Sequence, residues 1–458
     1  MVTTTVSPSE KQKAVSVKLN KYLLRSSLVG ALGGLLFGFD TAVIAGTTRS
    51  ISTLFRLTPA QLGFTVSIAL WGTVLGALCS GIVGERLGAR RALRIMALLY
   101  IVSSLGSALA WNWDAFLVFR FIGGVGVGGS SVLGPVYIAE LAPARLRGRL
   151  VGLFQFNVVL GILAAYLSNY IISSLNLGSH EWRWEFGVAT APALLFAAFL
   201  FTVPSSSRWL VTQNRLEEAR KVLALLGSES AEQELREIAR AVQSSRHERH
   251  ESVFQFAYIR PLLLALFLGA FNQLSGINAI LYYLNDIFAD AGFSSMSGNV
   301  QAVVIGLTNL IATMLAVSLI DKVGRRTLLL VGSVGTSIAL AGVAALFYFR
   351  TASYLLLLCL IGFIFFFAIS QGSVVWVYIS EIFPTRVRSK GQGVGSSAHW
   401  IMNAVIAAAF PIIAVRSRSM PFLFFAVMMI VQFFVVLLFF PETRGRSLEQ
   451  IQAHLGIS

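Results

Sequence analysis

Stretches of about twenty apolar residues recur along the chain, interrupted by short polar segments. They run approximately over 26–48, 62–83, 92–110, 115–138, 149–171, 185–203, 261–288, 299–320, 327–348, 352–380, 392–414 and 420–440. Twenty residues at the rise of an α-helix cross a hydrocarbon core, so the pattern predicts twelve transmembrane helices. The one long polar stretch, 204–260, separates six from six. Within it, 214–227 has Leu216, Ala219, Leu223 and Leu226 on one stripe and ends at Gly227, which predicts a helix, and 232–242 repeats the style. Residues 244–251 read as charged linker and 446–455 as a short amphipathic helix. The organisation expected is a tail (1–25), a six-helix half (26–203), a helical bridge (204–260), a second half (261–440) and a closing tail (441–458).

The halves echo one another. Glu140, Pro143 and Arg147 recur as Glu381, Pro384 and Arg388 at identical spacing. Upstream, the segment from Gly84 to Arg91 parallels that from Asp321 to Arg326. Downstream, the segments beginning at Pro204 and Pro441 correspond. Three landmarks in the same order indicate a duplicated unit, and hence pseudo-symmetry. Their Glu and Arg residues suggest a latch: Glu140 and Glu381 are expected to pair with Arg90 or Arg91 and with Arg325 or Arg326, with Arg147 and Arg388 joining the gate.

Composition narrows the class. The chain is 56% hydrophobic and 12% charged, too few charges to cover a soluble protein of 458 residues. The net charge of +15 could suggest nucleic acid, but its placement refuses that reading. Of 36 Lys and Arg residues, 29 fall on one side, six (Arg49, Arg56, Arg183, Arg350, Arg416, Arg418) on the other, and Arg120 lies within a span. This is the positive-inside bias, and it predicts both termini in the cytoplasm. Met1–Arg25 is polar and lacks a cleavable signal. Cys79 and Cys359 read as small buried residues, and no metal cluster or cofactor motif is present. Gly124, Gly126 and Gly129 match a dinucleotide fingerprint, but within a membrane span this is a helix-packing pattern.

Charges inside the spans are costly and mark function. Away from helix ends the reading finds one acid, Asp40, and one base, Arg120, each roughly 8–12 Å deep from the same side. They can pair as a structural bridge or serve as a proton site in which protonation of Asp40 releases Arg120. Span seven is broken by Asn272, Gln273, Gly276 and Asn278, the discontinuity at which transporters bind solutes. Gln155, Asn309, Trp376, His399, Trp400 and Asn403 are further candidates, of which Gln155, Trp376 and His399 lie roughly 8–12 Å from the cytoplasmic ends of their spans. Amides with aromatic faces suit a polyhydroxylated ligand, although each amide alone could simply join helices.

These residues resemble the sugar porter family of the major facilitator superfamily over about 26–455. The match rests on Gly33 to Thr41 (including Phe37 and Asp40), Arg120 with its glycines, Gln273-x-x-Gly276-Ile277-Asn278, and Pro441-Glu442-Thr443. The resemblance implies alternating access, sugar contacts for Gln155, Gln273, Asn278, Asn309 and Trp376, and, in bacterial members, proton coupling through an Asp at the place of Asp40. Departures are Asn272 for a Gln, His399 for a Gln or Asn, Ile162 for a second Gln, Ser205 for the acid after Pro204, and Ser373 for a Pro. The expectation is a non-enzymatic monosaccharide–proton symporter that needs no cofactor. It would be monomeric, lie in a lipid bilayer with sugar and protons as its partners, and reside in a bacterial inner membrane, since no glycosylation sequon occurs. A uniporter of the same fold and a sugar-sensing transceptor are the alternatives.

Overall fold

A computed structural model of the protein describes residues 20–143, 146–228, 230–247, 252–350, 353–384, 386–446 and 448–455. Most of the expected N-terminal tail and the end of the expected linker lie outside these residues. The described chain is helical throughout, with no strand. The first half comprises α1 (Lys21–Phe55), α2 (Pro59–Leu87), α3 (Ala89–Ala108), α4 (Trp113–Leu141), α5 (Arg147–Ser174), α6 (Glu181–Val188) and α7 (Thr190–Phe199). The bridge holds α8 (Ser207–Thr212), α9 (Leu216–Leu225) and α10 (Ala231–His247). The second half runs through α11 (Ile259–Leu274), α12 (Ile277–Tyr282), α13 (Leu284–Asp290), α14 (Ser295–Val323), α15 (Arg325–Phe349), α16 (Ser353–Ile369), α17 (Gln371–Ile382), α18 (Arg388–Arg416) and α19 (Met420–Phe439), followed by α20 (Leu448–Leu455).

Among the described residues, 11 helical segments are long and apolar enough to cross a membrane. The twelfth crossing is the α6–α7 pair, interrupted at Ala189. Pro192 explains the interruption: it has no N–H to offer the Val188 carbonyl, and its ring crowds that position. This crossing starts at Glu181, four residues before the apolar run begins, because Trp182 and Glu185 are buried (1% exposed each) despite polar neighbours. Glu185 therefore corrects the reading of Asp40 as the sole acid within the spans. Both its carboxylate oxygens lack a partner among the described residues.

Glycine sets the packing. A Cβ at Gly38 would fall on the Val158 carbonyl, and one at Gly161 on that of Leu35, so α1 and α5 touch backbone to backbone. Gly72 and Gly76 on α2 face Gly124 and Val125 on α4, while a Cβ at Gly124 or Gly128 would strike the Ala69 or Thr73 carbonyl. The fingerprint-like glycines are thus a helix interface. In lipid such close approach supplies the dispersion contacts that a hydrophobic force cannot. The equivalent contact in the second half is Gly269 of α11 against the Gly395 carbonyl of α18.

The halves meet through α2 on α18 and α5 on α14. They are tied at the face opposite the termini, called here the far face. There Arg49 of α1 pairs with Asp286 at 3.1 Å and Asp290 at 3.7 Å on α13, and Tyr166 donates to the Leu281 carbonyl. In the bridge, α9 stops at Leu225, just before Gly227 (φ +85) turns the chain, whereas α10 continues to His247, through part of the stretch read as linker. Cys79 is exposed on the membrane-facing surface and Cys359 only partly buried, which corrects the expectation for both.

Candidate functional site

The interruption of span seven builds the first element of the site. Helix α11 stops at Leu274, and Gly276 adopts φ +82, a conformation that costs other residues dearly. A Cβ there would also strike the Phe425 ring, so glycine is required twice over. The break turns the amides of Asn272, Gln273 and Asn278 toward one another. Asn278 Nδ2 donates to Gln273 Oε1 at 3.1 Å, and Gln273 Nε2 donates to Asn272 Oδ1 at 3.2 Å. The same Gln273 nitrogen lies 3.1 Å from Nε2 of His399 on α18. Asn272 reaches the Gln371 carbonyl at 3.5 Å, where span ten is itself broken between α16 and α17 at Ser370.

Aromatic rings continue the cluster. His399 lies between Trp376 (5.1 Å) and Trp400 (5.0 Å), and Trp400 contacts Phe37 of α1 at 5.5 Å, so rings from both halves converge. Trp376 keeps 38% of its surface exposed, leaving a ring face open. Asn403 donates to Tyr282 Oη at 3.1 Å. Gln155, exposed on α5, and Asn309, buried on α14, stand on the helix pair that joins the halves but do not hydrogen-bond to the cluster.

Asp40 and Arg120 form the second element. Arg120 Nη1 donates to Asp40 Oδ1 at 2.5 Å, with the Arg side chain 4% and the Asp 20% exposed. The guanidinium also lies over the Phe186 ring, 5.3 Å from its centroid. A buried charge of this kind is tolerated only with a partner, and each residue is the other's. A cavity of about 20 Å³, lined by Asp40, Arg120, Phe37, Tyr282 and Trp400 among others, lies between the ion pair and the aromatic cluster. That volume admits about one water molecule. Tyr282 was not singled out in the sequence, although it follows Asn278 by one helical turn. With Phe37 and Trp400 it lines the cavity at which the two elements adjoin.

The latch residues form a third group, on the face bearing the termini. Arg325 donates to Glu381 at 3.0 Å and pairs with Asp321 at 2.9 Å, and Thr443 donates to the other Glu381 oxygen at 2.6 Å. Arg326 donates to the Leu437 carbonyl at 2.6 Å, and Arg388 to that of Phe383 at 3.4 Å. In the first half the expected pairing fails. Glu140 has Ser206 and Arg208 for neighbours rather than Arg90 or Arg91. Arg90 is committed to the Val203 carbonyl at 2.7 Å, Arg91 is exposed, and Arg147 donates to the Ala139 carbonyl at 3.2 Å. The physical reason is register: Gly88 corresponds to Gly324, so Ala89, without any cation, stands where Arg325 stands.

Comparison with known proteins agrees with this architecture. The model of the family described as "Sugar (and other) transporter" matches residues 26–455. The D-xylose-proton symporter of Escherichia coli is 34% identical, covering 95% of this chain and 96% of its own length. The arabinose-proton symporter of Bacillus subtilis is 35% identical, over 94% of each chain. The glucose transporter of Staphylococcus epidermidis is also 35% identical, over 96% of this chain and 98% of its own. Among solved structures, the inward-open xylose transporter from E. coli superposes with a TM-score of 0.85 at 34% identity, covering 94% of this chain and 100% of that one. The form of that symporter bound to 6-bromo-6-deoxy-D-glucose gives 0.78 at 33% identity, over 96% and 100%. With its twelve crossings in two related halves and its match over nearly the whole length, the chain belongs to the sugar porter family of the major facilitator superfamily.

Proposed function

We propose that the protein is a monosaccharide–proton symporter working by alternating access, with both termini in the cytoplasm. The observation that carries this reading is the Asp40–Arg120 ion pair, separated from the Gln273–His399–Trp400 cluster by a single water-sized cavity. A proton on Asp40 would discharge the pair and free Arg120, in reach of the same Trp400 and Tyr282 that border the amides. Sugar binding and protonation can thereby favour the same change of state, which is what coupling requires. Gln273, Asn278 and Asn272 supply uncharged donors and acceptors for hydroxyls, and Trp376 an open ring face for a C–H surface. His399 serves as a hydrogen-bonding partner of Gln273 in this site, and Phe37, Trp400 and Asn403 complete its wall. Relatives named for xylose, arabinose and glucose support a pentose or hexose as substrate.

Uptake of a panel of labelled pentoses and hexoses into proteoliposomes, with and without an inwardly acid-driven gradient, tests the proposal. Accumulation above the external concentration only with the gradient is expected. Equal equilibration in both conditions would make the protein a uniporter, with Asp40–Arg120 a structural pair.

A further inference from the structure

We infer that the second half carries a binding site for an anionic phospholipid of the leaflet at the far face, with its phosphate among Arg350, Arg416 and Arg418 and an acyl chain between α15 and α16. These are three of the six basic residues on the side that the charge bias leaves poor in cations. They converge on one recess of about 640 Å³, whose lining contains a single carboxylate, Asp290. That carboxylate is already engaged: Arg418 approaches it at 3.4 Å and Arg49 at 3.7 Å. Arg350 and Arg416 have no ion pair among the described residues. Guanidinium forks match phosphate oxygens in geometry as well as charge.

Helix ends alone account for less. Arg350 caps α15 and Arg416 ends α18, and a cation at either C-terminus complements the helix dipole. That explains each residue singly; it does not explain a shared recess, or what lies beneath it. The recess is bordered by Leu346, Tyr348 (73% exposed) and Val415 (72% exposed), an aromatic and aliphatic rim of the kind found at headgroup level. Below it on the same helix pair runs an apolar groove of about 750 Å³, lined by Val334, Gly335, Ile338, Gly342, Cys359 and Gly362 among others. Its near end at Gly342 and Ile338 lies eight and twelve residues from Arg350, roughly 12–18 Å along α15 at 1.5 Å per residue, the depth that an acyl chain reaches in one leaflet. Basic head pocket and apolar channel on one axis are complementary to a phospholipid, and the surplus of guanidinium favours a net-negative headgroup over a zwitterionic one. Arg418 belongs both to this recess and to the Arg49–Asp290 chain, so a bound phosphate competes for an anchor of the tie between halves.

Native mass spectrometry of the purified full chain tests the site, with phosphatidylglycerol and phosphatidylcholine of identical acyl chains supplied in equal amounts. Preferential retention of phosphatidylglycerol is expected. Arg350→Gln with Arg416→Gln should lower that retention by about 25-fold, about fivefold for each arginine near a membrane surface. Ile338→Trp, at a position 68% exposed, should block the groove and reduce retention with every arginine intact. Sugar counterflow in phosphatidylcholine vesicles reports that each variant is folded. Equal retention of the two lipids, or no loss in the double variant, overturns the assignment. So does inorganic phosphate that occupies the site as tightly as the lipid, which would make it a soluble-anion site.

Discussion

The two halves repeat the same frame at their latches, but only one keeps the charges. Tyr137 donates to the Pro204 carbonyl at 2.7 Å, and Tyr378 to that of Pro441 at 2.9 Å. Gly88 and Gly324 both turn into the next helix with positive φ, +79 and +102. Beyond that frame the halves diverge. Glu442 lies against Gly324 and accepts from the backbone amides of Arg325 at 2.9 Å and Arg326 at 3.1 Å, satisfying orphan donors at the start of α15. At the matching place against Gly88 stands the Trp209 ring, and α3 begins without a side-chain cap. Ala89 replaces Arg325, Ser205 replaces Glu442, and Glu140 keeps one oxygen without a partner among the described residues. Both halves thus share a hydrogen-bonded frame of tyrosine and proline carbonyls, and the second half adds to it the ionic lock of Arg325 and Glu381. At mid-membrane the asymmetry reverses: the first half holds the charged pair and the second half the amides and rings.

The largest expected effect breaks the mid-membrane asymmetry. Asp40→Asn retains size and hydrogen bonding but leaves Arg120 without its counter-charge. Acid-driven accumulation should fall to simple equilibration, while counterflow persists because the amides on α11 and α12 are untouched. Accumulation that survives in the Asn variant would move the proton site elsewhere.

Next comes the amide cluster. Gln273→Ala and Asn278→Ala should each weaken sugar binding by about 1–3 kcal/mol, the cost of leaving buried groups unpaired, or roughly 5- to 150-fold in Kd. Trp376→Ala should act comparably by removing the open ring. Calorimetric titration of purified variants measures this, and wild-type affinity in all three places the sugar elsewhere.

The latches provide a smaller and more discriminating comparison. Glu381→Gln disrupts a charged bond to Arg325 and weakens that from Thr443, so about 1.5–3 kcal/mol of stabilisation on the terminal face is at stake. Glu140→Gln disturbs a partly buried carboxylate with no Arg325 equivalent and keeps a group able to bond Ser206, so it should cost less than about 1 kcal/mol, within the net worth of one ordinary hydrogen bond. Thermal unfolding together with labelling of cysteines on the terminal face reads both. Equal losses would mean that the halves latch alike despite their residues.

Much of this was legible in the sequence because lipid imposes simple rules. Helix length, glycine spacing and the cost of buried charge made the spans, the Asp40–Arg120 contact and the break at Gly276 readable. The misses share a cause: they depend on which of several chemically possible partners is in register. Arg90 has the chemistry to bind Glu140, yet its position relative to Gly88 aims it at the Val203 carbonyl. Glu185 has flanking Trp and Arg residues that read as a loop, yet Trp182 and Phe186 carry it inward. Arg49 with Asp286 was invisible because 237 residues separate them and nothing in either segment names the other.

The smallest expected effect is the most direct test of the latch comparison. Ser205→Glu places in the first half the acid that the second half owns. The carboxylate should reach toward the uncapped amides of Ala89 and Arg90 and complement the N-terminal dipole of α3, a contribution of about 0.5–1 kcal/mol. It cannot reproduce the full grip of Glu442, which also accepts from its neighbours Thr443 and Arg444 at 3.0 Å each and has an open approach to Gly324. In the first half the Trp209 ring covers Gly88 and donates to the Glu85 carbonyl at 3.1 Å, so the new carboxylate must share that space. Glu442→Ser, measured alongside, should therefore destabilise by about 1.5–3 kcal/mol, more than Ser205→Glu stabilises. Equal and opposite shifts in the two melting curves would show that the carboxylate alone, and not the ring packed in its place, distinguishes the halves.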